Sequence, residues 1–430
     1  GTGRLNTGSG NVILLTPAGN VTLTSAANQI TANTLTVVAF NSTAINTSVT
    51  SLDAQVTGTG SLTVNEANDV VVTQARTVNG PISLTTSLGS TVNIANINAA
   101  TGTLGNLTVT NGNLYISAPG IRATQTANLA NAESVTILNG SIVAANIILP
   151  SSLPTIQYLA NGLDNGSGSL REQINRVNAG NTVVGNVSGG GGFNSTITLS
   201  SNITLNSALP AMTVQMNIRG NNWTLDGTNA GPNSSGLTVL STSSTPSTIS
   251  GVKFLNFGGA GVDLVGARNT SVTGITVTGS TVGFRASGNL SGSGVFSSTF
   301  TNNVIGSVLS SAQNLKVGDV GKTNTFTGGT AGFRGASTTG MSISGATNGT
   351  IVRANSFTGY STAVSIVAAT GLVFGGAGTG EFNSISNAAT AAIYATGFCT
   401  GSSVSKTTFS NVPASNQYVV STSRNLTIVK

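Results

Sequence analysis

The sequence predicts an all-β fold, a right-handed parallel β-helix (β-solenoid) with one short capping helix near residues 169–179. Three observations lead there. First, a large apolar residue returns once per prospective turn, at Phe257, Val277, Phe300, Phe326, Phe357, Phe382 and Phe409, with gaps of 20, 23, 26, 31, 25 and 27 residues. A second apolar patch follows each return: Val262–Leu264, Gly283–Arg285, Ser307–Leu309, Gly332–Arg334, Val364–Ile366, Ala392–Tyr394 and Tyr418–Val420. A unit this short cannot bury its own apolar face and must stack on its neighbours. Second, the chain has 56 Gly and 6% charged residues, yet 38% of it is hydrophobic, so it can build a core. Third, short alternating runs of β-branched residues, cut by Gly, Asn and Ser, read as strands and tight turns.

Residues 1–158 form the first expected segment, a narrow aliphatic solenoid. Strands are expected at Asn11–Leu15, Asn20–Thr24, Thr34–Val38, Ser61–Val64, Asp69–Thr73, Ile82–Thr85 and Leu107–Thr110, with turns at 18–20, 58–60 and 111–112. Alternation puts Val, Ile and Leu on one face of each strand and Thr, Ser or Asn on the other. Aromatics are nearly confined to Phe40 and Tyr115, which suits narrow turns with aliphatic cores.

The second expected segment spans 159–430. Pro150 and Pro154 break the strand pattern, and the turn-rich run 161–168 leads into Ser169-Leu-Arg-Glu-Gln-Ile-Asn-Arg-Val-Asn-Ala-Gly180. Ser169 and Glu172 have the spacing of a capping box. Leu170, Ile174 and Val177 share one helical face, and Gly180 suits the position after the last turn. This is the one helix expected, a cap for the open end of a solenoid core. Strands follow at Thr196–Ser200, Ile203–Leu205, Met212–Met216 and Trp223–Asp226, and the wider Phe-centred turns then run on to the apolar strand Leu426–Val429.

These motifs carry a resemblance. The Gly-Asn-Val-x-Leu-Thr-like pieces of the first segment resemble the filamentous-haemagglutinin-type solenoids of large bacterial surface proteins. Residues 161–300 resemble secreted bacterial parallel β-helix proteins. The shared features are Gly168–Glu172 of the Gly-Ser-Leu-Arg-Glu helix, the Thr196–Leu199 strand, the Asp226-Gly227 turn and the Gly251–Phe257 rung. The resemblance implies fold and an extracellular or cell-surface location. It implies no single activity, because such solenoids serve as adhesins, stalks, filaments and carbohydrate enzymes.

Composition narrows the chemistry. There is no histidine, which removes Ser-His-Asp and Cys-His systems and His-based zinc sites. Net charge is +6, but the 16 basic residues form no run, and Arg171 with Arg176 is the one close pair. Nucleic-acid binding is therefore not expected. No apolar run reaches the length of about 18 residues that a membrane span needs. The single Cys399 reads as a small buried hydrophobe. The chain opens Gly-Thr-Gly-Arg inside a running repeat, which predicts a processed or partial product of a longer precursor. Fifteen Asn-x-Ser/Thr sequons are what chance gives at this composition and carry little weight.

Among the ten carboxylates, Asp226 and Asp263 are 37 residues apart and fall at different points of their turns, so they do not make a glycosidase pair. Asp263 aligns instead with Arg285, 22 residues on, as an inter-turn salt bridge, and Arg334 is expected to extend that stripe. Glu66 and Asp69 are expected on a loop, serving solubility. Gly189–Gly192 reads as a flexible turn, since no phosphate-loop Lys-Ser/Thr follows it. Trp223 reads as core or groove lining, with sugar stacking as the alternative. No catalytic, cofactor-binding or metal residue is assigned and no cofactor is expected. The function expected is that of a non-enzymatic extracellular structural or adhesive protein, a head-to-tail filament subunit joined through Asn11–Leu15 and Leu426–Val429. Cell-surface or matrix glycans are the other partner expected. The alternative is a polysaccharide-binding or polysaccharide-degrading β-helix.

Overall fold

A computed structural model describes residues 4–25, 29–99, 105–138, 140–150, 157–180, 183–188, 195–329 and 336–429. It is a parallel β-solenoid whose regular structure is almost all β, 57% strand against 3% helix, with two short helices among the described residues. The backbone divides into two compact units, residues 1–159 with 179–195, and residues 160–178 with 196–430. No helix among the described residues is long and apolar enough to cross a membrane.

The first unit is built on aliphatic columns. Parallel pairing sets Leu35, Leu52, Val72, Ile94, Ile116 and Ile137 one above another, and Tyr158 follows at the end. All seven are at most 2% exposed. Ala54, Ala75, Ile97, Ile121 and Ile142 form another column. Burial alternates along these strands, as in Thr43–Val56, because successive side chains leave opposite faces of the pleat. Phe40 stands 47% exposed, so it takes no part in that core. Asn111 and Gly112 adopt φ of 63° and 81° at the turn expected there, a backbone that Asn and Gly tolerate best.

The second unit has three parallel ladders. One runs through Ile197, Ile218, Ile249, Val272, Val295, Val317, Val352, Phe374, Val404 and Ile428. Another runs through Leu237, Val262, Phe284, Ser307, Met341, Val364, Ile393 and Tyr418. The remaining ladder holds the aromatic column Ile203, Leu225, Phe254, Val277, Phe300, Phe326, Phe357, Ile385 and Phe409.

Two members of the expected column are displaced. Phe254, not Phe257, occupies the rung before Val277. Asn256 turns the chain at φ 59°, so Phe257 belongs to the segment past the corner and packs edge-on against Phe254 at 6.1 Å. Ile385, not Phe382, occupies the rung after Phe357. Phe382 lies before that strand, half-buried, with the Lys406 ammonium 5.8 Å from its ring centre. In the neighbouring ladder Met341-Ser342-Ile343 fills the place expected for 332–334, which lies outside the described residues.

The corner after the aromatic ladder is made by Asn256, Gly279, Asn302, Gly359, Asn387 and Asn411, each at positive φ. That left-handed backbone strains most side chains, which accounts for much of the Asn and Gly in the sequence. Just before the ladder, Asn324, Asn355 and Asn383 are buried one above another. The Asn324 Nδ2 donates to Asn355 Oδ1 at 3.0 Å, and the Asn355 Nδ2 donates to Asn383 Oδ1 at 3.1 Å. Their amides also donate to the backbone carbonyls of Val295, Val317 and Val352, satisfying polar groups that burial would otherwise orphan.

The expected helix is present as α1 (Leu170–Asn178), with Leu170, Gln173, Ile174 and Val177 buried. The Ser169 hydroxyl accepts from the Glu172 N–H at 3.2 Å, and the Glu172 carboxylate reaches back to the Gly168 N–H. Gly180 takes φ 65°. The helix packs on strand Thr196–Leu199, at one end of the second unit's core. A second, one-turn helix that the sequence reading lacked, α2 (Ala414–Gln417), follows Pro413, whose fixed φ of −55° suits a helix start. The expected strand 212–216 does not form. Met212 keeps one bridge, to Val239, while Thr213 N–H donates to Asn178 Oδ1 of α1.

Candidate functional site

The site is a cleft of about 520 Å³ in the second unit, within the range of about 300–1,000 Å³ usual for small-ligand clefts. Its floor is the outer face of the ladder carrying Thr238, Asp263 and Arg285, which parallel pairing places in one row. Its walls are Ala208 and Leu209 on one side and the segment 230–235 on the other. That wall is tied down locally. Asp226 Oδ1 accepts from the Thr228 N–H at 2.9 Å and the Thr228 hydroxyl at 2.6 Å, an Asx turn that starts the loop. Further along, Gly259 N–H donates to Ser234 O, and Ala260 N–H donates to the Ser235 hydroxyl. Asp226 and Asp263 are thus apart, as expected: one holds the loop and the other lies on the floor.

Asp263 is 8% exposed although it points outward from its sheet, because the loop covers it. Its Oδ2 accepts from Arg285 Nη1 at 3.3 Å, the inter-turn pair expected from the sequence. Its Oδ1 is buried without a hydrogen-bond partner. Burial pushes the carboxyl above the ordinary aspartate range, and the Arg285 guanidinium pulls against that shift without reversing it. The row does not continue in charged residues. Val308 and Ser342 take the next two positions, and Arg334 itself lies outside the described residues. Asp263 is the one carboxylate among the lining residues.

The remaining candidates serve the fold. Glu66 is no loop residue. It ends strand Leu62–Glu66 and is 3% exposed, because it closes a corner by accepting from the Thr47 hydroxyl at 2.7 Å, Val49 N–H at 3.1 Å and Ala67 N–H at 3.0 Å. Burial raises its pKa, against the pull of those hydrogen bonds. Asp69 accepts from Thr91 N–H one turn on, at 2.7 Å. Trp223 is 38% exposed and outside the cleft lining, so it is neither core nor cleft wall. Cys399 is fully buried. Gly189–Gly192 lie outside the described residues.

Sequence reasoning missed a charged clamp. Arg353 pairs with Asp319 at 2.6 Å and with Glu381, joining its own turn to the loops of the turns on either side. Asp319 is held below the usual carboxylate range. A little burial works against this, but the Val320 N–H, Arg353 and Lys316 outweigh it. Pairing over unequal loop lengths left no sequence period to reveal the clamp. Among the described residues, no three acidic or cysteine side chains gather as a metal site would need. No protein-family model matches the chain, and a search of curated proteins finds no match.

Proposed function

We propose that the chain is a non-enzymatic structural and adhesive solenoid of the bacterial exterior. One observation carries this reading: each of the ten carboxylates accepts at least one hydrogen bond from the chain's own groups. Asp53 takes one from Gln55, Glu66 from Thr47, Asp69 from Thr91, Glu133 from Gly89 and Asp164 from Arg171. Glu172 takes one from Gly168, Asp226 from Thr228, Asp263 from Arg285, and Asp319 and Glu381 both from Arg353. Glycoside hydrolysis needs two carboxyl groups facing one sugar, and the cleft lining offers one. Some of these bonds tie one turn to another, as at Glu66, Asp69, Asp263, Asp319 and Glu381, and others hold a local turn or cap, as at Asp53, Glu172 and Asp226.

The assembled form of this reading is a filament joined through 11–15 and 426–429. Ile13, Leu15 and Val429, which are 66%, 67% and 46% exposed, are the apolar side chains such a joint would cover. Intact producing cells labelled with antibody to the purified chain, and stripped of it by external protease, test the location. Purified protein incubated with neutral and acidic polysaccharides tests the absence of catalysis, and release of reducing or unsaturated ends would sink it. Electron microscopy at high concentration tests the filament, and single particles alone would remove that part.

A further inference from the structure

We infer that the cleft over Asp263 and Arg285 binds a neutral, hydroxyl-rich ligand, a glycan residue presenting two adjacent hydroxyls. This deepens the adhesive reading and rests on it. A buried acceptor without a partner is a standing free-energy cost that a donor from outside would remove, and Asp263 Oδ1 is such an acceptor on the cleft floor. Beside it, Arg285 is 38% exposed at its side chain and uses Nη1 toward Asp263, leaving guanidinium N–H groups for a ligand oxygen. One hydroxyl of a diol would donate to Asp263 Oδ1 and the other would accept from Arg285.

The rest of the lining has the same two-sided character. Thr238 and Asn233 line the cleft and add a hydroxyl and an amide to it. Leu209, Ala230 and Pro232 offer apolar surface against which the C–H face of a sugar ring would pack. A carboxylate and a guanidinium 3.3 Å apart present almost no net charge, so a neutral ligand is favoured over a uronate, which Asp263 would repel, or an amine, which Arg285 would repel.

The test is calorimetry and glycan-array binding with the full chain, using neutral oligosaccharides (cello-, xylo-, manno- and malto-tetraose) beside oligogalacturonate and chitosan oligomers. The expected result is binding to one or more neutral glycans. Binding should fall about tenfold or more in Asp263→Asn and in Arg285→Met, and stay unchanged in Trp223→Ala. Both cleft variants should still melt as folded proteins, Arg285→Met at a lower temperature because it strands the buried Asp263 carboxylate, and a conservative Arg285→Lys should recover part of the affinity. Binding that survives both cleft variants, or is lost with Trp223→Ala, overturns the site. Folded protein that ignores every neutral glycan, or prefers the charged ones, overturns the ligand class and leaves the structural reading standing. Sugar release from a bound glycan would instead overturn the non-enzymatic reading.

Discussion

Phe326 stacks on Phe357 with ring centroids 4.8 Å apart and planes 9° apart, the same spacing that separates two hydrogen-bonded strands. Phe300 lies on the other side of Phe326 at the same 4.8 Å, tilted by 13°. Backbone pairing and ring stacking therefore share one repeat, and a side chain removed from the column leaves a hole that neighbouring turns cannot close independently. Phe326→Ala should cost about 3–5 kcal/mol in denaturant unfolding. Phe382→Ala, off the column, should cost under about 1 kcal/mol. Equal losses would show that the column does not run through Ile385.

The buried asparagines give a second prediction. Asn355→Ala leaves the Asn324 amide, Asn383 Oδ1 and the Val317 carbonyl each short of a partner in an enclosed corner. A loss of about 3 kcal/mol is expected in the unfolding midpoint, larger than for removing a half-buried hydrogen bond such as that between Thr358 and Ser386.

Tyr360 points the other way. Its ring is fully buried, its hydroxyl has no partner, and burial pushes its pKa far above the ordinary tyrosine value. Tyr360→Phe should be neutral or stabilise by about 1 kcal/mol, and calorimetric melting checks the sign.

Acidification should first strengthen the fold. Glu66 and Asp263 both titrate above their ordinary values of 4.5 and 3.8 because burial disfavours their charged forms. The native state therefore takes up protons before the unfolded chain does, and gains stability as pH falls through their raised folded values toward 4.5 and 3.8. Asp319 behaves oppositely: it is held below 3.8, and its contribution is lost only as pH falls further, through its folded pKa. Urea midpoints across this range should rise and then fall, and Glu66→Gln should flatten the rise.

The cap of α1 offers a local check. Ser169→Ala removes the acceptor for Glu172 N–H and should cost about 1 kcal/mol, read as a lower melting temperature.

Much of this architecture was legible from periodicity. Alternation identified strands at Asn11–Leu15, Ile82–Thr85 and Thr196–Ser200, which the structure bounds at Asn11–Thr16, Ile82–Thr86 and Thr196–Leu199, since each must turn one face to a core. The capping box, the helical face of α1 and the Asp263–Arg285 pair also followed from spacing alone. Register was harder, because corners of varying length separate the rungs. Counting from Phe to Phe ran past Asn256, where the strand had already ended. The asparagine stack was readable in principle: Asn324, Asn355 and Asn383 each stand two residues before a column side chain, so strand parity turns them inward. The sequence reading treated Asn in general as cutting strands into turns and assigned these three no role. The cleft left no such trace, because its wall is a loop folded back on the sheet and held by Asp226.

The path of the backbone between 142 and 183 has a practical outcome for anyone dissecting the protein. Ile142 pairs with Val183, and strand Val183–Ser188 belongs to the first unit although α1, earlier in sequence, belongs to the second. The chain crosses between the units at 159/160, 178/179 and 195/196. No single scission yields two intact halves: one made at 159 strips the leading fragment of its closing strand and leaves that strand dangling from the other piece.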